Sequence, residues 1–169
     1  MRSVRLEKML TGSAFVIAVG LIAPLIGAAS PAHAAVAPCT SADLTGSVIK
    51  MNTLPGGTTV TFALKNTGPR RVTCRLSGPL SVQFLSSSGA AVGRVATSPS
   101  LPGDRLLRPS FQARASVSTM EGVLCTSRLA SAMRISWSHL AKVIHLGRSI
   151  GVCVNGTTRW TTVSSISFP

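Results

Sequence analysis

Apolar and polar residues alternate one by one along five stretches of this chain. A period of two puts alternate side chains on opposite faces of a strand, and a helix cannot reproduce it. In Thr59–Lys65 the apolar phase is Val60, Phe62 and Leu64. Val72, Cys74 and Leu76 alternate with Thr73 and Arg75, and Leu80, Val82 and Phe84 alternate with Ser81 and Gln83. Phe111, Ala113, Ala115 and Val117 alternate with Gln112, Arg114 and Ser116; Met133, Ile135 and Trp137 alternate with Arg134, Ser136 and Ser138. Such strands keep one face on a core and the other in water. Turn signals lie between them: Leu54-Pro55-Gly56-Gly57, Thr67-Gly68-Pro69, Ser77-Gly78-Pro79, Ser88-Gly89, Pro102-Gly103-Asp104 and Asn155-Gly156-Thr157. Short strands broken about every ten residues predict an all-β, antiparallel sandwich. Leu140–Val152 reads either as a helical turn or as a strand with a slip, and Val163 is out of phase with Ile166 and Phe168.

Residues 1–34 read as an address rather than as part of that fold. Arg2, Arg5 and Lys8 precede an apolar run from Met9 to about Ala29, followed by Ala32-His33-Ala34. A basic start, an apolar middle and a small-residue exit describe a secretory signal peptide, with cleavage expected after Ala34. An uncleaved anchor is the alternative, because the run approaches the ~20 residues that span a bilayer. Pro38 directly before Cys39 does not fit a lipidation signal. The expected mature chain, 35–169, is one domain with no second segment long enough to span a membrane. Its place is outside the cell or in the envelope.

Cys39, Cys74, Cys125 and Cys153 all fall in the mature part, separated by 34, 50 and 27 residues. An even count in an exported chain predicts disulfides, and no pair shows the short spacing of a zinc knuckle. Four cysteines allow three pairings. The sequential one, Cys39–Cys74 with Cys125–Cys153, is the expectation taken forward.

Several short motifs then resemble a known family. Cys39-Thr40-Ser41-Ala42-Asp43-Leu44 is similar to the Cys-Thr-x-x-Asp-Leu opening of an exported domain family of unknown function (number four-two-three-two) that is widespread in actinobacteria. Leu64-Lys65-Asn66-Thr67-Gly68 is similar to its Leu-x-Asn-Thr strand end. Cys74-Arg75-Leu76-Ser77-Gly78-Pro79 is similar to its Cys-x-Leu-x-Gly-x-Pro turn, one residue shorter. Leu107-Arg108-Pro109 and the alternation after it resemble its Leu-x-Pro-Gly segment, with Ser110 in place of the glycine. The resemblance covers nearly the whole mature chain and places all four cysteines. It implies an immunoglobulin-like β-sandwich, exported and often fused to lipid anchors or other envelope domains, with no assigned activity.

No constellation of catalytic residues stands out. Three carboxylates survive the expected processing, Asp43, Asp104 and Glu121, far apart in sequence. Asp43 and Asp104 read as turn residues and Glu121 as a solvated or arginine-paired loop residue. Too few acids remain for a paired-carboxylate hydrolase or a calcium cage. His139 and His145 are six residues apart, a spacing that fits neither a helical zinc pair nor one strand face. Phosphate-cradling glycine loops are absent. The expectation is therefore no enzyme, no metal and no cofactor. An exported hydrolase built from a dispersed serine, His139 or His145, and Asp104 is the alternative, and a metal carrier a third reading.

Charge is the remaining signal. The whole chain has 17 bases, four acids and a formal charge of +13; the expected mature part keeps 14 bases and three acids, or +11. Such a surface attracts polyanions and releases them in salt. Arg75, Arg114 and Arg134, with Lys65, take polar phases of strands, Arg70 and Arg71 sit in a turn, and Arg105 and Arg108 flank a loop. Arg70, Arg71, Arg75, Arg114 and Arg134 are the candidate anion-binding residues. Partners of matching chemistry are anionic cell-wall polymers or another envelope protein. Specific nucleic-acid binding is not expected, since Tyr is absent and Phe62, Phe84, Phe111 and Trp137 take core phases, leaving Trp160 beside Arg159 as the ring most expected to be exposed for stacking.

Overall fold

A computed structural model describes residues 35–68, 72–99, 104–120, 125–138, 140–155, 161–164 and 166–168. Residues 1–34, with the expected signal segment and its expected cleavage site at Ala34, and Arg70, Arg71, Glu121, His139, Arg159 and Trp160 lie outside the described residues.

Among the described residues ten strands follow in order: β1 (Leu44–Leu54), β2 (Gly57–Asn66), β3 (Cys74–Leu76), β4 (Leu80–Leu85), β5 (Ala91–Thr97), β6 (Arg105–Leu107), β7 (Gln112–Met120), β8 (Ser127–Trp137), β9 (Leu140–Cys153) and β10 (Thr161–Val163). No helix occurs among the described residues. One sheet has the order β1-β2-β7-β10, a second β5-β4-β8-β9, and β3 pairs with β6 in a small third sheet. Every strand pair is antiparallel. The orders reproduce the A-B-E and C′-C-F-G strands of an immunoglobulin-like sandwich, with β10 on the edge that strand D would take.

The period-two reading explains the core. Val60, Phe62 and Leu64 of β2 and Ala113, Ala115 and Val117 of β7 point inward from one sheet. Leu80, Val82 and Phe84 of β4 and Met133, Ile135 and Trp137 of β8 meet them from the other, all in one buried cluster. The Trp137 indole N–H, which would be costly to bury unpaired, donates to the Gly78 carbonyl at 2.9 Å. The sequence expectation for these four strands and for β3 holds, with two corrections at strand starts. Phe111 precedes β7 and is 53% exposed, and Val72 precedes β3 and is 52% exposed. Neither is a core residue. Arg105 lies in β6, paired with Leu76, rather than beside a loop.

Leu140–Val152 is a strand with a slip. Ala130 pairs with Ile150 but Ala132 with His145, so the extra residues of β9 bulge out around Gly147, whose φ is 76°. Val143 points outward; Leu140, Ile144, Leu146, Ile150 and Val152 stay in the core. At the other end, β10 stops at Val163, and the chain after it keeps to β7 through Ser164, bonded to Ser116, and the Arg114–Ser167 bridge. That break accounts for the lost phase before Ile166.

The disulfides join Cys39 to Cys74 and Cys125 to Cys153. Neither bond crosses between the two main sheets as in antibody domains. Cys39–Cys74 pins the segment before β1 onto β3, where Cys39 N also donates to the Arg75 carbonyl and Arg75 N to that of Ala37. Cys125–Cys153 ties the entry of β8 to the end of β9.

Asn66 does comparable work without a covalent bond. It is buried, and its Nδ2 donates to the carbonyls of Val72 and Leu107, both at 2.9 Å, while its Oδ1 accepts from Gly68 N. Its main chain accepts from Ser110 N and donates to the Phe111 carbonyl. One residue thereby gathers the segments before β3, after β6 and before β7. Ser110 makes the turn with φ at 67°, although it stands where the resembling family has glycine.

Replacing Asn66 with Ala should lower unfolding free energy by about 2–4 kcal/mol, because buried partners lose their bonds. Urea denaturation midpoints check this. A Cys39→Ala/Cys74→Ala variant should lose about 2–4 kcal/mol through release of the closed loop, read against the parent with and without reductant.

Candidate functional site

The outward positions of the β1-β2-β7-β10 sheet form a patterned polar face. Register aligns them in rows. Thr45, Lys65 and Gln112 make the first, and Ser47, Ala63, Arg114 and Ser167 the second. Lys50, Thr61 and Ser116 make the third, joined by Ser164, whose Oγ accepts from Ser116 N at 2.9 Å. Asn52, Thr59, Ser118 and Thr162 make the fourth.

Cross-strand hydroxyl pairs fix this surface. Thr59 Oγ1 and Ser118 Oγ lie 2.9 Å apart, Thr61 Oγ1 and Ser116 Oγ 2.9 Å, and Thr45 Oγ1 and Thr67 Oγ1 2.6 Å. A hydroxyl has one hydrogen and two lone pairs, so each pair consumes one donor and leaves the other to be offered outward. Ala63 is small and lies beneath its neighbours at 2% exposure.

Three cations stand among the hydroxyls: Lys50 and Lys65, both exposed, and half-buried Arg114. The Gln112 side-chain oxygen accepts from Arg114 Nε at 2.9 Å and from Nη2, which orients the guanidinium along the sheet. Strand spacing and rise place the three charges in a field of about 10 by 14 Å. No Asp or Glu occurs in β1, β2, β7 or β10. The face can donate charge-assisted hydrogen bonds, and its four strands carry no carboxylate to repel an anion.

Among the described residues, the arginines singled out from sequence do not share one surface. Arg114 is on this face. Arg134 is on the outer face of the second sheet, between Gln83 and Val143 in register. Arg75, on β3, gives its Nη1 to Asp104 Oδ2 at 2.9 Å. Asp104 is thus an ion-pair partner; Pro102 and Gly103, on which its expected turn role rests, lie outside the described residues. Asp43 matches its expected turn role: its Oδ2 accepts from Thr40 N at 2.9 Å and Thr40 Oγ1 at 2.6 Å. Sequence reasoning missed Lys50, because β1 itself shows no simple alternation.

Other bases are committed within the sandwich. Lys142 Nζ donates to the Ser41 carbonyl, and Arg148 reaches Thr53 Oγ1 and Met51 Sδ, fastening β9 to the β1 side. One serine pattern also escaped the periodicity reading: Gly147-Arg148-Ser149-Ile150-Gly151 spells G-x-S-x-G. A nucleophile elbow needs a strand-to-helix turn, whereas this segment remains within the bulge of β9. Asp104 engages Arg75, and His145 is an exposed outward residue of β9, so the structure does not bring these two together. Among the described residues no three His, Cys, Asp or Glu side chains converge, and no helix is long and apolar enough to cross a membrane.

A family model described as a domain of unknown function (DUF4232) matches residues 39–129, more than half of the chain. No curated protein and no solved structure matches it.

The Arg75–Asp104 pair is exposed, at 38% and 46% for the two side chains. Asp104→Asn should therefore cost less than about 1 kcal/mol, measured by thermal or urea unfolding.

Proposed function

The chain belongs to the DUF4232 family of domains of unknown function, and from that starting point we propose that it is an exported, non-enzymatic binding module whose ligand is an anionic polymer of the cell envelope. The supporting observation is the outer face of β1, β2, β7 and β10, strands without an acid, on which Lys50, Lys65 and Arg114 stand in a lattice of paired hydroxyls. A polymer with regularly spaced phosphates or carboxylates can meet the cations, while its hydroxyls exchange hydrogen bonds with Thr59, Thr61, Ser116 and Ser118. The surface is flat and open, which suits an extended chain better than a small molecule. Export is supported by the two formed disulfides, since such bonds persist in oxidising compartments.

The test is binding of the full chain to immobilised long-chain polyphosphate and polygalacturonate, with neutral dextran as control. Retention on the polyanions should fall about tenfold or more as salt rises from about 0.05 to about 0.5 M. Lys50→Gln/Lys65→Gln/Arg114→Gln should weaken low-salt binding by about tenfold, with its unfolding midpoint unchanged. Equal retention of the triple variant, or binding that ignores salt, overturns the reading.

A further inference from the structure

At the end of the sandwich where Asn66 gathers three segments, the chain exposes Leu106 (55%), Phe111 and Val72. Their main chains are neighbours. The carbonyls of Val72 and Leu107 share one donor, Asn66 Nδ2, and Leu106 and Phe111 line the same cavity of about 210 Å³ with Arg108 and Phe168. The turn Arg108-Pro109-Ser110-Phe111 is closed by Phe111 N donating to the Arg108 carbonyl, and Ser110 N donates to Asn66 O. Phe111 is therefore presented to water by a fixed backbone, not stranded on a free loop. Apolar side chains clustered in the open on a rigid support mark an interaction surface.

The charge around the cluster indicates the partner. Exposed Arg108 lines the same cavity, exposed Arg105 precedes Leu106 in β6, and Asp104, the one described acid nearby in the chain, is paired with Arg75. An aromatic and aliphatic tip accompanied by two exposed arginines matches the boundary between lipid headgroups and acyl chains. Anionic headgroups complement the arginines and the acyl edge accepts the tip. Each contribution alone is weak, and together they provide the two signals that stable surface attachment needs. We propose that this end of the domain, with Phe111 and Leu106 at its point, Arg108 beside them and Arg105 next to Leu106 in the chain, docks on an anionic lipid bilayer surface. The proposal uses residues separate from Lys50, Lys65 and Arg114 and stands independently of the polymer reading.

The test places a fluorophore at the point. Phe111→Trp in the full chain is mixed with vesicles of brominated phosphatidylcholine containing about 30 mol% phosphatidylglycerol. The added emission, taken against the parent chain, should shift to the blue and be quenched by the bromines. Val143→Trp, on the outer face of the second sheet, should show neither change. Arg105→Gln/Arg108→Gln in the Phe111→Trp background should weaken the quenching titration by about tenfold, and pure phosphatidylcholine should give little quenching. A tryptophan at 111 that remains in water on these vesicles, or equal quenching at 143, overturns the proposal and leaves the tip to a protein partner. Quenching that persists in the Lys50→Gln/Lys65→Gln/Arg114→Gln background separates this outcome from that of the polymer reading.

Discussion

Val60, Phe62, Val82, Phe84, Val117 and Ile135 are sealed from water between the two four-stranded sheets. Their burial stabilises by about 1.5–3 kcal/mol per large side chain, and it fixes the register of every strand that carries them. A slip of one residue would send each of these groups to the solvent side. Once the inner positions are claimed in this way, the outer ones are free to take any polar character. On β1, β2, β7 and β10 they became hydroxyls and bases. The surface chemistry is a consequence of the core's alternation, displaced by one residue.

Alternation also explains which elements could be read from sequence. β2, β4, β7 and β8 carry uninterrupted apolar phases, and the structure keeps them. β1 was not legible for two physical reasons. Gly46 occupies an inward position, where an added Cβ would come within 2.6 Å of Ile144 Cδ1, so an apolar residue is missing from the pattern by steric necessity. A bulge between Val48 and Lys50 then shifts the phase and leaves Ile49 exposed. β5 is hidden by a similar device: Gln83 alone faces the segment between Val92 and Ala96, and its amide satisfies the freed carbonyls of Val92 and Gly93. Lys65 and Arg114 were legible as outward bases. Which sheet each strand joins is a long-range property, and this is why Arg134 and Arg114 could not be assigned to opposite faces beforehand.

Total charge is a coarser guide than placement. Arg75 is held by Asp104, while Lys142 and Arg148 bridge the open side between β9 and the β1 end. These bases support the fold. Lys50, Lys65 and Arg114 differ in standing on a face whose strands contain no acid. Asn66 couples fold and surface in another way. The same bonds that close the end of the sandwich set the backbone on which Leu106 and Phe111 are displayed. An exposed Phe held by a buried hydrogen-bond network spends apolar area that a stability-optimised turn would bury.

The segment matched by the family model ends at residue 129, but the physical unit extends further. Cys125 lies inside the matched range, and its partner Cys153 lies beyond it. Stopping at 129 would remove most of β8 and all of β9, leaving β4 without its inner neighbour in the second sheet. Phe84 and Val82 would lose Met133 and Ile135 as cross-strand partners, and unpaired strand edges would face water. β10 has the smaller task of covering the outer edge of β7, which it does through three residues and the Ser167 bridge to Arg114. That bridge ends on the strand carrying the candidate site. The part of the chain after the matched segment therefore completes the core and also flanks the polymer face with Thr162, Ser164 and Ser167.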